Sequence, residues 1–303
     1  MAYVSKTYFL SKPKKAFRFL MDELNVSMNE AQSIIDRRRV SIGGNLLTCK
    51  SCDIQGEISV LSYEPKPRGL EPIFETEDFA VFEKPSGIMI HPKKREDAYT
   101  LNDEIKSRYG KDANCAHRID KGTSGLVLVG KNKQSEIALK SLFANRQVRK
   151  TYLALVEGKI EKAMMIDEKL KRDLPQSKVR IKVHVDESGK NSQTKITPLE
   201  YFDDIDATLI EAEPLTGRQH QIRVHLFHVK HKIIGDIIYG VDEDSVVLFL
   251  DNKLDKNQTA QLSGCSRLLL HAHSLQFSYK DVDYKVVSKA DIKTLFYNLA
   301  KGL

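Results

Sequence analysis

The sequence predicts an α+β protein built in two parts. A small N-terminal unit of helices and a hairpin precedes a larger domain around a mixed or antiparallel central sheet. Three observations support this. Apolar spacing is helical close to the N-terminus, strand-like runs dominate beyond residue 72, and those runs do not alternate strictly with helices as βαβ architectures require. At 303 residues, with 41% hydrophobic and 29% charged residues, the chain can bury the core of one large and one small domain.

In the first part, Phe17, Leu20, Met21 and Leu24 recur at helical spacing and mark one apolar face. A second helix opens at Ser27, where Glu30 three residues on completes a capping box, and it ends near Arg37-Arg38-Arg39. Val40 and Ile42 then alternate with polar neighbours up to Gly43-Gly44, a two-residue hairpin turn. The run "EISVLSY", Glu57–Tyr63, closes a unit spanning residues 1–64. "EPKPRGLEP", Glu64–Pro72, is rich in Pro, Gly and charge and reads as a linker over 65–72.

The larger domain is expected over 73–303. Its strand-like runs are Phe79–Glu83, Gly125–Gly130, Thr151–Gly158, Lys178–Val185, Ala207–Pro214 and Arg267–Phe277. Ala138, Leu139, Leu142 and Phe143 carry one helical face between them, and Ile222, Leu226 and Val229 carry another. A T-x-x-Q pair, Thr216 and Gln219, marks the start of that second helix.

Bulk charge narrows the partners. The formal net charge is +7, a surplus that favours a polyanion such as nucleic acid. The four cysteines include one C-x-x-C, Cys49 and Cys52. Zinc needs further ligands and no second pair follows, so these read as reduced thiols, which suit the cytoplasm. The N-terminal "MAYVSKTYFLSKPKK" lacks the apolar core of a signal peptide, and no later run is long enough to span a membrane. His225, His228 and His231 are spaced three apart, but on a helix such steps drift by about 60° each, which spreads the rings around the axis. RNA contacts or helix-end packing account for them better than a metal.

The chemistry concentrates in a few segments. "CAHRIDKGTSGLVLVGK", Cys115–Lys131, places His117, Arg118 and Asp120 before a Lys-Gly-Thr-Ser-Gly turn that leads into a strand. Asp120 alone would be read as a turn-capping aspartate. It is accompanied by "EKPSGIMIHP" (Glu83–Pro92), "RKTYLALVEG" (Arg149–Gly158), "SGKNSQT" (Ser188–Thr194), "LTGRQHQIRVHL" (Leu215–Leu226) and "RLLLHAHSLQF" (Arg267–Phe277). In order and spacing this set resembles the RluA family of pseudouridine synthases from about residue 70 to the C-terminus. "RRRVSIGGNLL", in its helix–helix–hairpin frame, resembles the S4 RNA-binding domain that precedes the catalytic domain in the RluC/RluD-like branch.

The resemblance implies an isomerase that cuts the glycosidic bond of an RNA uridine and rejoins the base through carbon five. It implies Asp120 as the catalytic carboxylate, Arg223 as its cationic partner and Tyr152 as the ring against the uracil. Ile222 and Leu270 would be apolar pocket walls. Arg118 would fill the space of a flipped nucleotide or hold its phosphate, and Thr123, Arg218 and His220 would lie on the substrate side. Arg37, Arg38 and Arg39 would contact RNA, although a basic helix end can also be simply solvated. The reaction has no redox step and no net hydrolysis, so no nucleotide cofactor and no metal are expected. The expected partner is large-subunit (23S) ribosomal RNA, met by a monomer. A tRNA-directed synthase, a non-catalytic ribosome-assembly factor on the same fold and a metal-dependent hydrolase are the alternatives. Two positions depart from the family pattern: Glu83 where asparagine is frequent, and Lys232 where proline is common.

Overall fold

A computed structural model describes residues 3–92, 99–172 and 177–302. The chain divides into two compact units, one formed by Met1–Arg68 with Pro92–Ser107, the other by Gly69–His91 with Arg108–Leu303.

In the first unit the elements run β1 (Tyr3–Lys15), α1 (Ala16–Leu24), α2 (Met28–Asp36), β2 (Val40–Ile42), β3 (Asn45–Leu46) and β4 (Asp53–Tyr63), and most of α3 (Leu101–Tyr109) belongs to it. The strands form an antiparallel sheet in the order β1-β4-β2-β3. Phe19 and Leu20 of α1 and Ala31 and Ile35 of α2 pack with Ile54, Ile58 and Val60 of β4 in one buried cluster. The capping box at Ser27 forms as its spacing predicts: the Glu30 amide donates to Ser27 Oγ, and the Ser27 amide donates to Glu30 Oε2 at 2.9 Å. Gly43 and Gly44 both take positive φ (51° and 85°), which closes the two-residue hairpin between Ile42 and Asn45.

Two features go beyond the sequence reading. The long β1 has no counterpart in the sequence reading. Only Tyr8 and Leu10 of its thirteen residues pack against the core, and its register with β4 shifts between Leu10 and Lys14, around Pro13, so its period-two signal is faint. The stretch read as a linker makes hydrogen bonds: the backbone amides of Lys66 and Arg68 donate to Asp103 (3.0 Å) and Glu104 (2.5 Å). Pro92–Ser107 accordingly groups with the N-terminal unit rather than with the larger domain.

The second unit contributes β5 (Pro72–Glu75), β6 (Phe79–Lys84), β7 (Asn114–Cys115), β8 (Ser124–Gly130), α4 (Lys133–Ala144), β9 (Arg149–Glu157), β10 (Met164–Asp167), β11 (Leu170–Arg172), β12 (Val183–Val185), β13 (Gln193–Phe202) and β14 (Ala207–Pro214). After these come α5 (Gln221–His228), α6 (Glu243–Leu250), α7 (Lys256–Ser263), β15 (Leu270–Tyr279), β16 (Val282–Val287) and α8 (Ile292–Lys301). The main sheet runs β10-β13-β14-β9-β15-β8-β6-β5, with β7 pairing β8 and β16 pairing β15. β15 and β8 are parallel and the other pairings are antiparallel, so the sheet is mixed and the α+β class is as predicted. The run "KVRIKVHV" is a strand only at Val183–Val185, paired with β11 outside the main sheet.

β8 is buried along its whole length, which explains its unbroken apolar run. Its one parallel contact is made possible by Gly125, whose φ is +106°. A Cβ there would stand 2.3 Å from the Ala272 carbonyl oxygen of β15. One core cluster joins β9, β13 and β14 to Ile222 and Leu226 of α5 and to Phe296 of α8. A second joins β6 and β8 to Leu139 of α4 and Phe277 of β15. Among the described residues no helix is long and apolar enough to cross a membrane.

Phe79 is fully buried and meets the rings of Phe74, Phe277, Tyr279 and Tyr284 at centroid distances of 5.0 to 5.9 Å. Phe79→Ala should therefore lower the unfolding free energy by about 3–5 kcal/mol. A denaturant titration showing a loss below about 1 kcal/mol would contradict this packing.

Candidate active site

Asp120 sits in the loop between β7 and β8. Its carbonyl accepts the Thr123 amide at 3.2 Å, which fixes the turn before the strand. The turn after β6 grips the next residues of the same loop. Gly87 N donates to Lys121 O at 2.8 Å, Ser86 Oγ donates to Gly122 O at 2.6 Å, and Lys84 Nζ donates to the carbonyls of Pro85, Ile88 and Lys121. Lys84 is fully buried, and burial lowers its pKa to about 7, with Asp120 acting in the opposite sense. The segment "EKPSGIMIHP" is thus the physical support of the "HRIDKGTSG" loop.

Arg223, near the start of α5, reaches this loop across 103 positions of sequence: its Nη1 donates to Asp120 Oδ2 at 3.1 Å. Its other two donors go elsewhere. Nε and Nη2 each bond a different oxygen of Asp236 at 2.7 Å, a bidentate pair. Asp236 is 1% exposed and Arg223 6%. His220, whose backbone is left-handed at φ 55°, places Nε2 3.7 Å from the same Asp120 Oδ2. Its Nδ1 lies 3.0 Å from the Tyr239 hydroxyl, and the Arg223 guanidinium lies over the Tyr239 ring, 5.3 Å from its centre. Among the described residues no side chain or amide bonds Asp120 Oδ1.

The electrostatics follow from this arrangement. Burial pushes the Asp120 carboxyl upward, but Arg223, His220 and Lys84 outweigh it and hold its pKa below the ordinary value. For Arg223 burial acts downward, and Asp236 and then Asp120 more than compensate, so the guanidinium is permanently charged. Tyr152, on β9 between Ala212 of β14 and Ala272 of β15, is close enough to feel the Asp120 charge. Burial first, and that charge second, raise its pKa, so its hydroxyl stays protonated. The result is an ionised carboxylate tied through Oδ2 to Arg223, near a protonated phenol.

The residues singled out in the sequence divide in space. Asp120, Arg223, His220 and Tyr152 come together. Thr123 is buried and serves the turn. Ile222 and Leu270 lie in the main core cluster at 6% and 3% exposure. Arg118 is exposed and pairs with no described residue. Arg218 turns away: its amide donates to Gln221 Oε1 at 3.0 Å and its Nε to Asn191 O at 3.4 Å. The T-x-x-Q box does not form. Thr216 Oγ1 instead bonds the Gln221 side chain at 2.6 Å, and α5 starts after left-handed His220. In the other unit Arg37 and Arg38 are exposed at the end of α2, whereas Arg39 donates to the Tyr3 hydroxyl at 2.7 Å and covers its ring. The sequence reading missed Asp236, Lys84 and Tyr239. The only local signal for two of them is "GDIIYG", Gly235–Gly240, whose first glycine has φ +79° and would place a Cβ 1.8 Å from the Arg267 carbonyl oxygen.

The three spaced histidines meet three different partners: His225 Nδ1 with Thr194 Oγ1, His228 with Glu168, and His231 Nδ1 with the Glu157 carbonyl. Among the described residues no cluster of metal-binding side chains is found.

Residues 78–228 match the family model for RNA pseudouridylate synthase. An RNA pseudouridine synthase of Helicobacter pylori is 40% identical over 289 residues, covering 95% of this chain and 94% of its own. The ribosomal large subunit pseudouridine synthase D of Nitrosomonas europaea is 32% identical over 228 residues, 71% of this chain and 65% of its own. The solved structure of human RNA pseudouridylate synthase domain containing 1 superposes with a TM-score of 0.58 at 25% identity, covering 75% of this chain and 86% of its own.

Buried histidines give a pH prediction. Burial lowers His117 and His271 to about 3 and His225 to about 4, from an ordinary 6.5. The unfolded chain takes up these protons below pH 6.5 and the folded chain does not. Stability is therefore full above pH 6.5 and declines as pH falls towards 4, by up to about 1.4 kcal/mol per pH unit per histidine. Denaturant midpoints measured across that window should fall steadily, and a flat profile would contradict the neutral, buried rings. On these likenesses the chain belongs to the RNA pseudouridine synthase family, of RluA type, and is an isomerase.

Proposed function

We propose that the chain converts specific uridines of large-subunit ribosomal RNA to pseudouridine, with Asp120 as the catalytic carboxylate. The observation that carries this reading is the state of Asp120: ionised and bonded through Oδ2 to Arg223, while no described residue bonds Oδ1. Such a carboxylate can attack the ribose or base as nucleophile or take a proton as base. In the isomerisation the N1–C1′ bond breaks, the base turns, and a C5–C1′ bond forms. Carbon five then loses its proton and N1 gains one. Tyr152, a protonated phenol near enough to feel the carboxylate's charge, offers a ring face to the uracil and a hydroxyl that can donate a hydrogen bond. Exposed Arg118 is free to take the phosphate or the vacated stack of a nucleotide flipped out at a cost of a few kcal/mol.

The first unit supports an S4-like, RNA-binding role. Two helices lie on a small sheet, and Arg37 and Arg38 stand exposed where α2 ends. Phosphate contacts of this kind make affinity fall steeply with salt. The Nitrosomonas europaea relative bears a large-subunit name, which favours ribosomal RNA. A Saccharomyces cerevisiae relative, 33% identical over 188 residues, is named tRNA pseudouridine(31) synthase, and this keeps a tRNA-directed reading as the second.

The test uses unmodified large-subunit RNA and unmodified tRNA, each labelled with tritium at carbon five of uridine. Release is expected from the ribosomal RNA, and Asp120→Asn should abolish it while RNA affinity stays within about twofold, since the change spares the phosphate contacts that dominate binding. Release from tRNA alone would reassign the substrate. Parental turnover by Asp120→Asn would remove that residue from the chemistry.

A further inference from the structure

The turn Asp236–Tyr239 holds Asp120 from two sides without touching it. Gly235 lets the chain pass against the Arg267 carbonyl, and Asp236 Oδ1 accepts the amides of Ile238 (3.0 Å) and Tyr239 (3.3 Å), so the turn is stiffened by its own carboxylate. One arm runs from Asp236 through the bidentate pair to Arg223, whose remaining Nη1 is thereby aimed at Asp120 Oδ2. The other runs from the Tyr239 hydroxyl to His220 Nδ1, and from His220 Nε2 towards the same Oδ2.

The second arm is assigned a polarity from its bonding pattern. The Tyr239 oxygen accepts the Val183 amide at 3.1 Å, which leaves its single proton available to His220 Nδ1, 3.0 Å away. An Nδ1 that accepts leaves the proton of neutral imidazole on Nε2, facing the carboxylate. This tautomer is assigned from the bonding pattern. Were Tyr239 absent, the ring could present a lone pair to Asp120 instead, and lone pair against carboxylate is repulsive. Both arms end on Oδ2, and no described residue bonds Oδ1.

We infer that Asp236 and Tyr239 are positioning residues, which orient Arg223 and His220 so that Asp120 Oδ2 is occupied and Oδ1 faces the uridine. The inference rests on Asp120 being the reacting carboxylate. Neither residue touches RNA in this account, so their effect belongs in turnover and not in affinity. Asparagine at 236 preserves volume but supplies a single acceptor oxygen and brings an amide N–H₂ up against the guanidinium. Phenylalanine at 239 preserves the ring and deletes only the proton that sets the tautomer.

The experiment measures single-turnover tritium release and RNA affinity on the full chain for Asp236→Asn and Tyr239→Phe, with Asp120→Asn alongside. ¹⁵N-histidine spectra of the parent and of Tyr239→Phe complete it. Each positioning variant should lose about tenfold or more in rate at saturating RNA, with affinity within about twofold, as expected when a group that orients another is removed. The His220 signal should report a proton on Nε2 in the parent and a different or mixed tautomer in Tyr239→Phe. A parental rate for Tyr239→Phe, an unchanged His220 signal, or a loss confined to affinity would overturn the inference. If Asp236→Asn fails to fold, Tyr239→Phe decides alone. If Asp120→Asn retains turnover, the proposed chemistry falls first; a dead Asp120→Asn beside an unaffected Tyr239→Phe overturns this inference only.

Discussion

The site depends on one guanidinium shared by two carboxylates. Arg223 is nearly inaccessible to solvent, and a lone buried cation would be strongly unfavourable. Asp236 makes it tolerable by taking two of its donors in a bidentate pair at 2.7 Å. Only then can Nη1 be offered to Asp120, which is less buried and stands at the open end of the cluster. The order matters: the inner carboxylate anchors, the arginine transmits, and the outer carboxylate keeps its charge. Breaking such a buried pair by removing one partner typically costs about 3–5 kcal/mol, so the same contacts that tune Asp120 also tie α5 to the 235–239 turn.

The sheet exists in a form that serves this cluster. Asp120 precedes β8, a strand enclosed by β6 on one edge and by β7 and β15 on the other. The parallel step between β8 and β15 requires Gly125, and the approach of the 235–239 turn requires Gly235. The turn after β6 then clamps Lys121 and Gly122 through backbone bonds and the buried ammonium of Lys84. The loop that carries Asp120 is thus held by hydrogen bonds from its neighbours, which an ionised group in a half-buried position needs if it is to keep one orientation.

Much of this was legible in the sequence, for identifiable reasons. β8 reads as a strand because all seven residues are buried, and the α2 start reads from Ser27 and Glu30 because the cap is made by those two residues alone. Asp120 and Arg223 were legible only as members of an ordered motif set, since nothing in local spacing pairs residues 103 positions apart. Asp236 was invisible: an aspartate after glycine looks like turn chemistry, and its role is defined by an arginine on another element. β1 was hidden by its lysines and Pro13, which dilute the alternation that its pairing with β4 imposes. Thr216 misled because its hydroxyl found the Gln221 side chain instead of a helix amide.

The central claim is that Arg223 keeps Asp120 ionised in a half-buried site. Titrating the Asp120 carboxyl by ¹³C NMR in the parent chain and in Arg223→Gln tests it most directly. The account predicts a midpoint below the ordinary 3.8 in the parent and one at or above it in the variant, where burial acts with only His220 and Lys84 to oppose it. Equal midpoints in the two chains would contradict it.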